Sequence, residues 1–284
     1  MSSLSRLSGA FCLFFAGAAG AMPLSELAGA THYHGLAFAR DGSGNLLLAT
    51  HHGLFTVDLA GEASQISPMQ DFMGFSPDPA VPMSYYASGH PAEGGNSGFL
   101  ASRDGGQTWT QISQGVDGPV DFHAMDASPA DPATIYGLFG GLQISRDGGK
   151  TWGLAGAPPE GVIALSAGGG SADRLYAATG SGLYISEDAG GNWQPLAFQG
   201  EVVSLVEAAP DGAVYAFVPG KGLFRAPAAG AEFAALGDGF GEAVPLYLAI
   251  DPDDAAHLVI ATHLNSLLES RDGGKSWAAS GSGS

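Results

Sequence analysis

One eight-residue string constrains this chain more than any other feature. Ser102-Arg103-Asp104-Gly105-Gly106-Gln107-Thr108-Trp109 recurs as 145–152, 186–193 and 270–277, each copy opening on Ser, carrying Asp third and closing on Trp. A decayed copy at 226–233 keeps the length and an aromatic, Phe233, but loses the Ser and Asp. The closing aromatic falls at positions 109, 152, 193, 233 and 277, a spacing of 40–44 residues. Self-similarity at such a period is the mark of a repeat architecture. The string itself suits a tight hairpin turn: Ser and Asp side chains bond nearby backbone, and the glycines take positive φ.

Around each copy, short apolar segments alternate with Gly-rich turns, and no stretch shows convincing helical periodicity. Four short strands fit each unit; in the fourth they are 162–166, 174–178, 182–186 and 192–196. Second strands are expected at 46–50, 84–88, 134–138, 213–217 and 258–262, with third strands beginning at Leu54, Phe99, Leu142, Leu223 and Leu267. Six units follow, at about 32–67, 68–114, 115–158, 159–197, 198–236 and 237–280. Four-stranded units of this length repeated radially make an all-β fold, a six-bladed β-propeller of antiparallel blades with the eight-residue turns on one face. An open solenoid would need distinct polar capping repeats, and none is visible. How the ring closes is left open.

Composition narrows the partners. Only 13% of the 284 residues are charged, and 28 acids against 10 bases give a net charge of −18. Nucleic-acid affinity rests on Lys and Arg neutralising phosphates, so DNA and RNA binding are not expected, and anionic membrane surfaces are equally disfavoured. The single cysteine, Cys12, lies in an apolar run from Leu7 to Ala19 that follows Arg6 and ends at the small residues Ala19-Gly20-Ala21. This reads as a secretory signal peptide over 1–21, with one propeller domain over 22–284 and a periplasmic or secreted location. The mature chain then has no thiol for chemistry and no membrane span.

Topology sorts the histidines. Loops leading into each innermost strand, and those between second and third strands, open on the face opposite the repeated turns. His32 and His34 begin the inner strand of blade one. Asp71 and Met73 take the same places in blade two, and Asp121 and His123 in blade three. Gly161 and Ile163, Val202 and Ser204, and Pro245 and Tyr247 are expected there in the remaining blades. Loops after the second strands add His51, His52, His90 and His263. Seven of the eight histidines thus map to one rim, all on the consecutive blades six, one, two and three; only His257 falls elsewhere. Residues two apart on a strand face the same side, so His32 and His34 are expected to share a direction.

Neutral imidazoles with carboxylate or Met support suit zinc or copper. Candidate metal ligands are therefore His32, His34, His51, His52, His90, His123, His263 and Met73, with His34, His123, His90 and one of the His51/His52 pair as the favoured set. Rim histidines satisfied by backbone and water are the plain alternative. Asp71 and Asp121, equivalent in neighbouring blades, form the alternative catalytic pair, since glycosidases need two carboxyls about 5–5.5 or 6.5–9.5 Å apart.

The eight-residue turn resembles the Asp-box, or BNR repeat, found in sialidases, sortilin ectodomains and photosystem II assembly factors. The segments Thr31-His-Tyr-His34-Gly, Ala49-Thr-His51-His52-Gly, Ser88-Gly-His90-Pro and Asp121-Phe-His123-Ala resemble secreted bacterial propellers usually grouped as sialidase-like or glycosyl-hydrolase-like. That resemblance implies a hydrolase, but fold does not imply function. A sialidase clamps its sugar carboxylate with three arginines. Here Arg103, Arg146 and Arg271 sit inside Asp-boxes, Arg40 and Arg174 belong to the same far side, and Arg225 lies on a third strand. True sialidase chemistry is not expected. Three classes stay open: an envelope propeller that binds a small ligand or a transition metal and handles it for a partner protein, a hydrolase of glycans, and an assembly scaffold.

Overall fold

A computed structural model describes residues 20–237 and 239–280. The expected signal peptide, apart from its last two residues, lies outside them. Six antiparallel sheets follow one another along the chain, the four blade strands of each hydrogen-bonded in sequence order. The inner strands are Tyr33–Phe38, Asp71–Pro77, Ala124–Ala127, Val162–Ala167, Leu205–Ala208 and Pro245–Ile250. They surround a central channel of about 990 Å³. The fold is the six-bladed β-propeller that the repeat predicts.

The Asp-boxes hold their turns as their residue types suggest. In blade three Ser145 Oγ donates to Asp147 Oδ1 and accepts the Gly149 N–H, both at 2.9 Å. Asp147 also takes the Thr151 N–H at 2.9 Å and the Thr151 hydroxyl at 2.6 Å. Those donors, the Thr151 hydroxyl foremost, hold the Asp147 carboxyl down to about 2. The box tryptophan then enters the joint between blades. Trp152 lies against Phe99 of blade two and Phe122 of blade three, with ring centroids 5.2 and 4.9 Å away.

Serine hydroxyls stitch neighbouring blades together. Ser76 Oγ accepts the Ala127 N–H across blades two and three at 3.2 Å, Ser88 Oγ accepts the Phe122 N–H at 3.0 Å, and Ser166 Oγ accepts the Ala208 N–H across blades four and five at 2.9 Å. Buried donors thereby find partners where no sheet ladder reaches.

The N-terminal segment is more structured than the sequence suggests. Met22–Pro23 adds a fifth strand to the outer edge of blade one, and Leu24–Ala30 is a seven-residue helix that buries Leu27. Seven residues rich in Ala and Gly are too short to show a periodic apolar face. Among the described residues the ring closes without a strand shared between the chain ends. Leu36 and Phe38 of blade one pack on Ala249, Val259 and Ala261 of blade six, and Asn265 Nδ2 donates to the Ala28 carbonyl at 3.1 Å.

Candidate metal centre

Four inner strands carry an extra residue at the same level: His34, Met73, Ile163 and Leu246 each interrupt the pairing register. A β-bulge re-aims the side chain that it inserts. The expected two-residue alternation of His32 and His34 is therefore replaced by a bulge, which still brings both beside His51. In blade six the bulge shifts the level by one residue. Val244 and Leu246, not Pro245 and Tyr247, hold the places equivalent to His32 and His34.

His34 Nε2 lies 2.9 Å from His51 Nε2, with the two rings near-perpendicular. His51 Nδ1 is 3.0 Å from Asp71 Oδ1 of the next blade. His34, His51 and Asp71 each place one potential ligand atom within 4.8 Å of the others'. His32 stands at the edge of this group, its ring centroid 5.9 Å from that of His51 and its Nδ1 3.4 Å from the Asn265 amide. Asp71 Oδ1 is buried without a hydrogen bond, so its approach to His51 is close but misaligned. An unsatisfied buried carboxylate oxygen costs free energy, and more when it is charged.

Burial and the neighbouring His51, partly offset by the Asp71 carboxylate, pull His34 down to about 4; His123 and His32 push the same way. At neutral pH His34 is an uncharged imidazole, the form that binds metals. Two nitrogens on one zinc ion at 2.0–2.1 Å and a tetrahedral angle stand about 3.3 Å apart. The observed 2.9 Å thus needs only a few tenths of an ångström of spreading.

The same unit recurs one blade on. His90 Nε2 of blade two lies 3.2 Å from Asp121 Oδ2 of blade three, and His123 Nε2 reaches that oxygen at 2.8 Å. Asp121 is 5% exposed, and its Oδ1 is buried without a partner. Both candidate carboxylates thus face imidazoles. Met73 is half-buried at the bulge level of His34. His52 is exposed beside the three-ligand group, its carbonyl accepting the Gln65 amide. His263 is fixed on its own blade, where its Nδ1 accepts the Val244 N–H at 2.9 Å. His257 is buried at the opposite end between Asp251 and Glu269, at 2.8 and 3.0 Å. Sequence reasoning passed over Asn265, although it lies in the same loop as His263.

Among the carboxyls that line the channel below are Asp126 and Glu207. Burial raises Asp126 to about 6 against the hydrogen bonds that it accepts from Ala167 N–H and Ser76 Oγ. Burial, with the Asp126 charge adding to it, sets Glu207 well above the usual carboxylate range. The six arginines among the described residues are engaged away from the mouth. Arg103 bonds Asp78, Arg146 bonds Asp173, Arg174 bonds Glu187, Arg225 bonds Asp211 and Arg271 bonds Glu269. Arg40 donates to the carbonyls of Asp78 and Pro79.

Fold and turns together define an Asp-box β-propeller. The BNR/Asp-box repeat family matches residues 143–152. No curated protein sequence matches the chain. Among solved structures it is similar to a GH74 enzyme from Niastella koreensis, with 16% identity, a TM-score of 0.61 and coverage of 88% of this chain and 45% of that one. A GH74 xyloglucanase from Xanthomonas campestris gives 21% identity, a TM-score of 0.55 and the same two coverages. YCF48 from Cyanidioschyzon merolae gives 16% identity and a TM-score of 0.56, covering 88% of this chain and 84% of that one. The chain thus spans less than half the length of the two GH74 proteins. Likeness at these identities shows the fold alone.

Proposed function

We propose that this propeller binds a transition-metal ion, zinc or copper, at the channel mouth through His34, His51 and Asp71, and handles that ion for a partner protein in the cell envelope. The observation that carries the proposal is the meeting of two imidazole nitrogens and one buried, unsatisfied carboxylate oxygen within 4.8 Å. A cation there takes one donor atom from each residue, and His51, which turns Nε2 to His34 and Nδ1 to Asp71, supplies one of its two nitrogens. Imidazole and carboxylate without thiolate suit zinc or copper(II). Three protein ligands leave a coordination position open, which suits exchange with a partner or substrate better than a closed structural site does. The signal-peptide pattern over 1–21 supports the envelope location.

The GH74 neighbours favour a second reading, hydrolysis of a glycan. It is less well supported, because Asp71 and Asp121 each lie within 3.2 Å of an imidazole nitrogen and neither stands free as an acid–base partner. The test is elemental analysis and Zn2+ or Cu2+ titration of the untagged mature protein beside His34→Ala and His51→Ala. Tight uptake by the parent that both substitutions weaken at least tenfold is expected. Uptake that neither substitution changes would remove the proposal.

A further inference from the structure

We infer that the central channel binds a small organic ammonium ion, its charge held between Glu207 and Asp126 and its apolar body lying along the bore. This site stands apart from the metal proposed at the mouth.

The inner strands share one level of side chains. Ser76, Asp126, Ser166 and Glu207 hold the same register in blades two to five, each opposite a tyrosine of the second strand. The first three obey one rule. Each accepts the backbone N–H one residue past its counterpart in the next blade: Ser76 from Ala127 at 3.2 Å, Asp126 from Ala167 at 2.8 Å and Ser166 from Ala208 at 2.9 Å. Glu207 breaks the rule. Its carboxyl makes no hydrogen bond to any described residue, and protein encloses it on every side but the bore. Ala249 and Ala37 complete the level in blades six and one, and such small side chains leave the space beside Glu207 open.

A serine in place of Glu207 would continue the stitch; the glutamate instead sets a carboxyl into the bore. There it is costly when charged, and the Asp126 charge adds to that cost. Asp126 is fixed in place, since it accepts Ser76 Oγ, Ser166 Oγ and the Ala167 N–H. Two carboxyls that repel are relieved by positive charge, and the chain brings none to them. Among the described residues that line the channel, Arg40 is the one lysine or arginine, and the Asp78 and Pro79 carbonyls engage its guanidinium.

The chemistry of the lining selects the ligand. An ammonium brings three N–H donors and the missing charge in one group. A metal ion would need further ligand atoms, and among the described residues no third His, Asp or Glu gathers with this pair. The walls include Phe75, Leu165, Leu205 and Leu248, which suit an alkyl or aryl body. The bore, about 990 Å³, is of the size that small-molecule sites have. Asp211, Asp251 and Asp253 line its far end, a field that draws cations inward.

The test is calorimetric titration of the chelator-treated, untagged chain with n-alkylammonium ions from butyl to heptyl. Hexan-1-ol and hexanoate carry the same tail without the positive charge. Hexylammonium should bind, and both of those at least about tenfold more weakly. Affinity should rise by up to about fourfold with each added methylene. Glu207→Gln removes the charge without breaking a hydrogen bond, so it should weaken hexylammonium at least about tenfold while circular dichroism shows an unchanged fold. At pH 6 hexylammonium should also expel a proton from the parent, read as a heat that varies with the ionisation enthalpy of the buffer, and Glu207→Gln should diminish that release. The ionisable side chains facing Glu207 are Asp126, Tyr247 of blade six, which burial pushes up to about 12, and Tyr215 of its own blade, whose hydroxyl accepts Arg225 Nε at 3.2 Å. His34 and His123 line the channel at the mouth, and the difference between parent and Glu207→Gln separates Glu207 from all of these. Equal binding of hexylammonium and hexan-1-ol overturns the site. So does an affinity and proton release that Glu207→Gln leaves unchanged, or a parent that binds no alkylammonium.

Discussion

Trp152 Nε1 donates to Ser113 Oγ at 2.9 Å, a bond from the Asp-box of blade three to the outermost strand of blade two. The same N–H also reaches the Gly149 carbonyl at 3.1 Å. The tryptophan therefore closes its own turn and seals the joint to its neighbour. Truncating a large aromatic in a packed site costs roughly 3–5 kcal/mol, and the half-buried ring of Trp152 belongs at the lower end. Trp152→Ala should lose about 3 kcal/mol in urea unfolding while Zn2+ uptake by the folded protein stays unchanged. Equal loss of both would contradict the separation of the two faces.

Glu207 and Asp126 predict a pH effect. A carboxyl raised on folding makes the folded state bind its proton more tightly than the unfolded chain does. Stability then falls as pH rises from about 4 through about 6, because the charged forms are disfavoured in the channel. Glu207→Gln removes one ionisation, so its melting temperature should drop less between pH 5 and pH 8 than that of the parent. Identical drops in thermal melts at the two pH values would clear the pair of this role.

Gly89→Ala tests the backbone that carries Asp71. Its positive φ and the collision with the Asp71 carbonyl make the substitution strained. A cost of at least about 1–3 kcal/mol is expected, with weakened Zn2+ binding at His34, His51 and Asp71. The check pairs chemical denaturation with metal titration. Full metal uptake in Gly89→Ala would show that the centre tolerates backbone movement there.

Ligand linkage gives a fourth expectation. An ion that binds only the folded state at a hundred times its dissociation constant adds about 2.7 kcal/mol of stability. Zn2+ should raise the melting temperature of the parent, whereas His51→Ala and Asp71→Asn should show a much smaller rise in the same scan.

The blades were legible because each repeat punctuates itself with a turn whose Ser, Asp and Gly residues are satisfied locally. The rim position of the histidines followed from counting strands. What escaped was set by tertiary geometry. His51 and Asp71 are twenty positions apart and meet only because the ring turns one blade's loop onto the next blade's strand. The bulge at Leu246 leaves no mark in its residue type, hence the one-residue error in blade six. The helix Leu24–Ala30 is held by Leu27 and by the chain around it, and hardly by an intrinsic preference of its own.

Drawing donors from separate blades has a mechanical outcome. An ion gripped at the mouth rivets blades one and two, while blades four to six offer it an isoleucine, a serine and a leucine at the same level. Loading would then stiffen one sector of the ring and leave the other free to breathe. Amide exchange slowing in that sector alone would make occupancy visible as a lopsided rigidity.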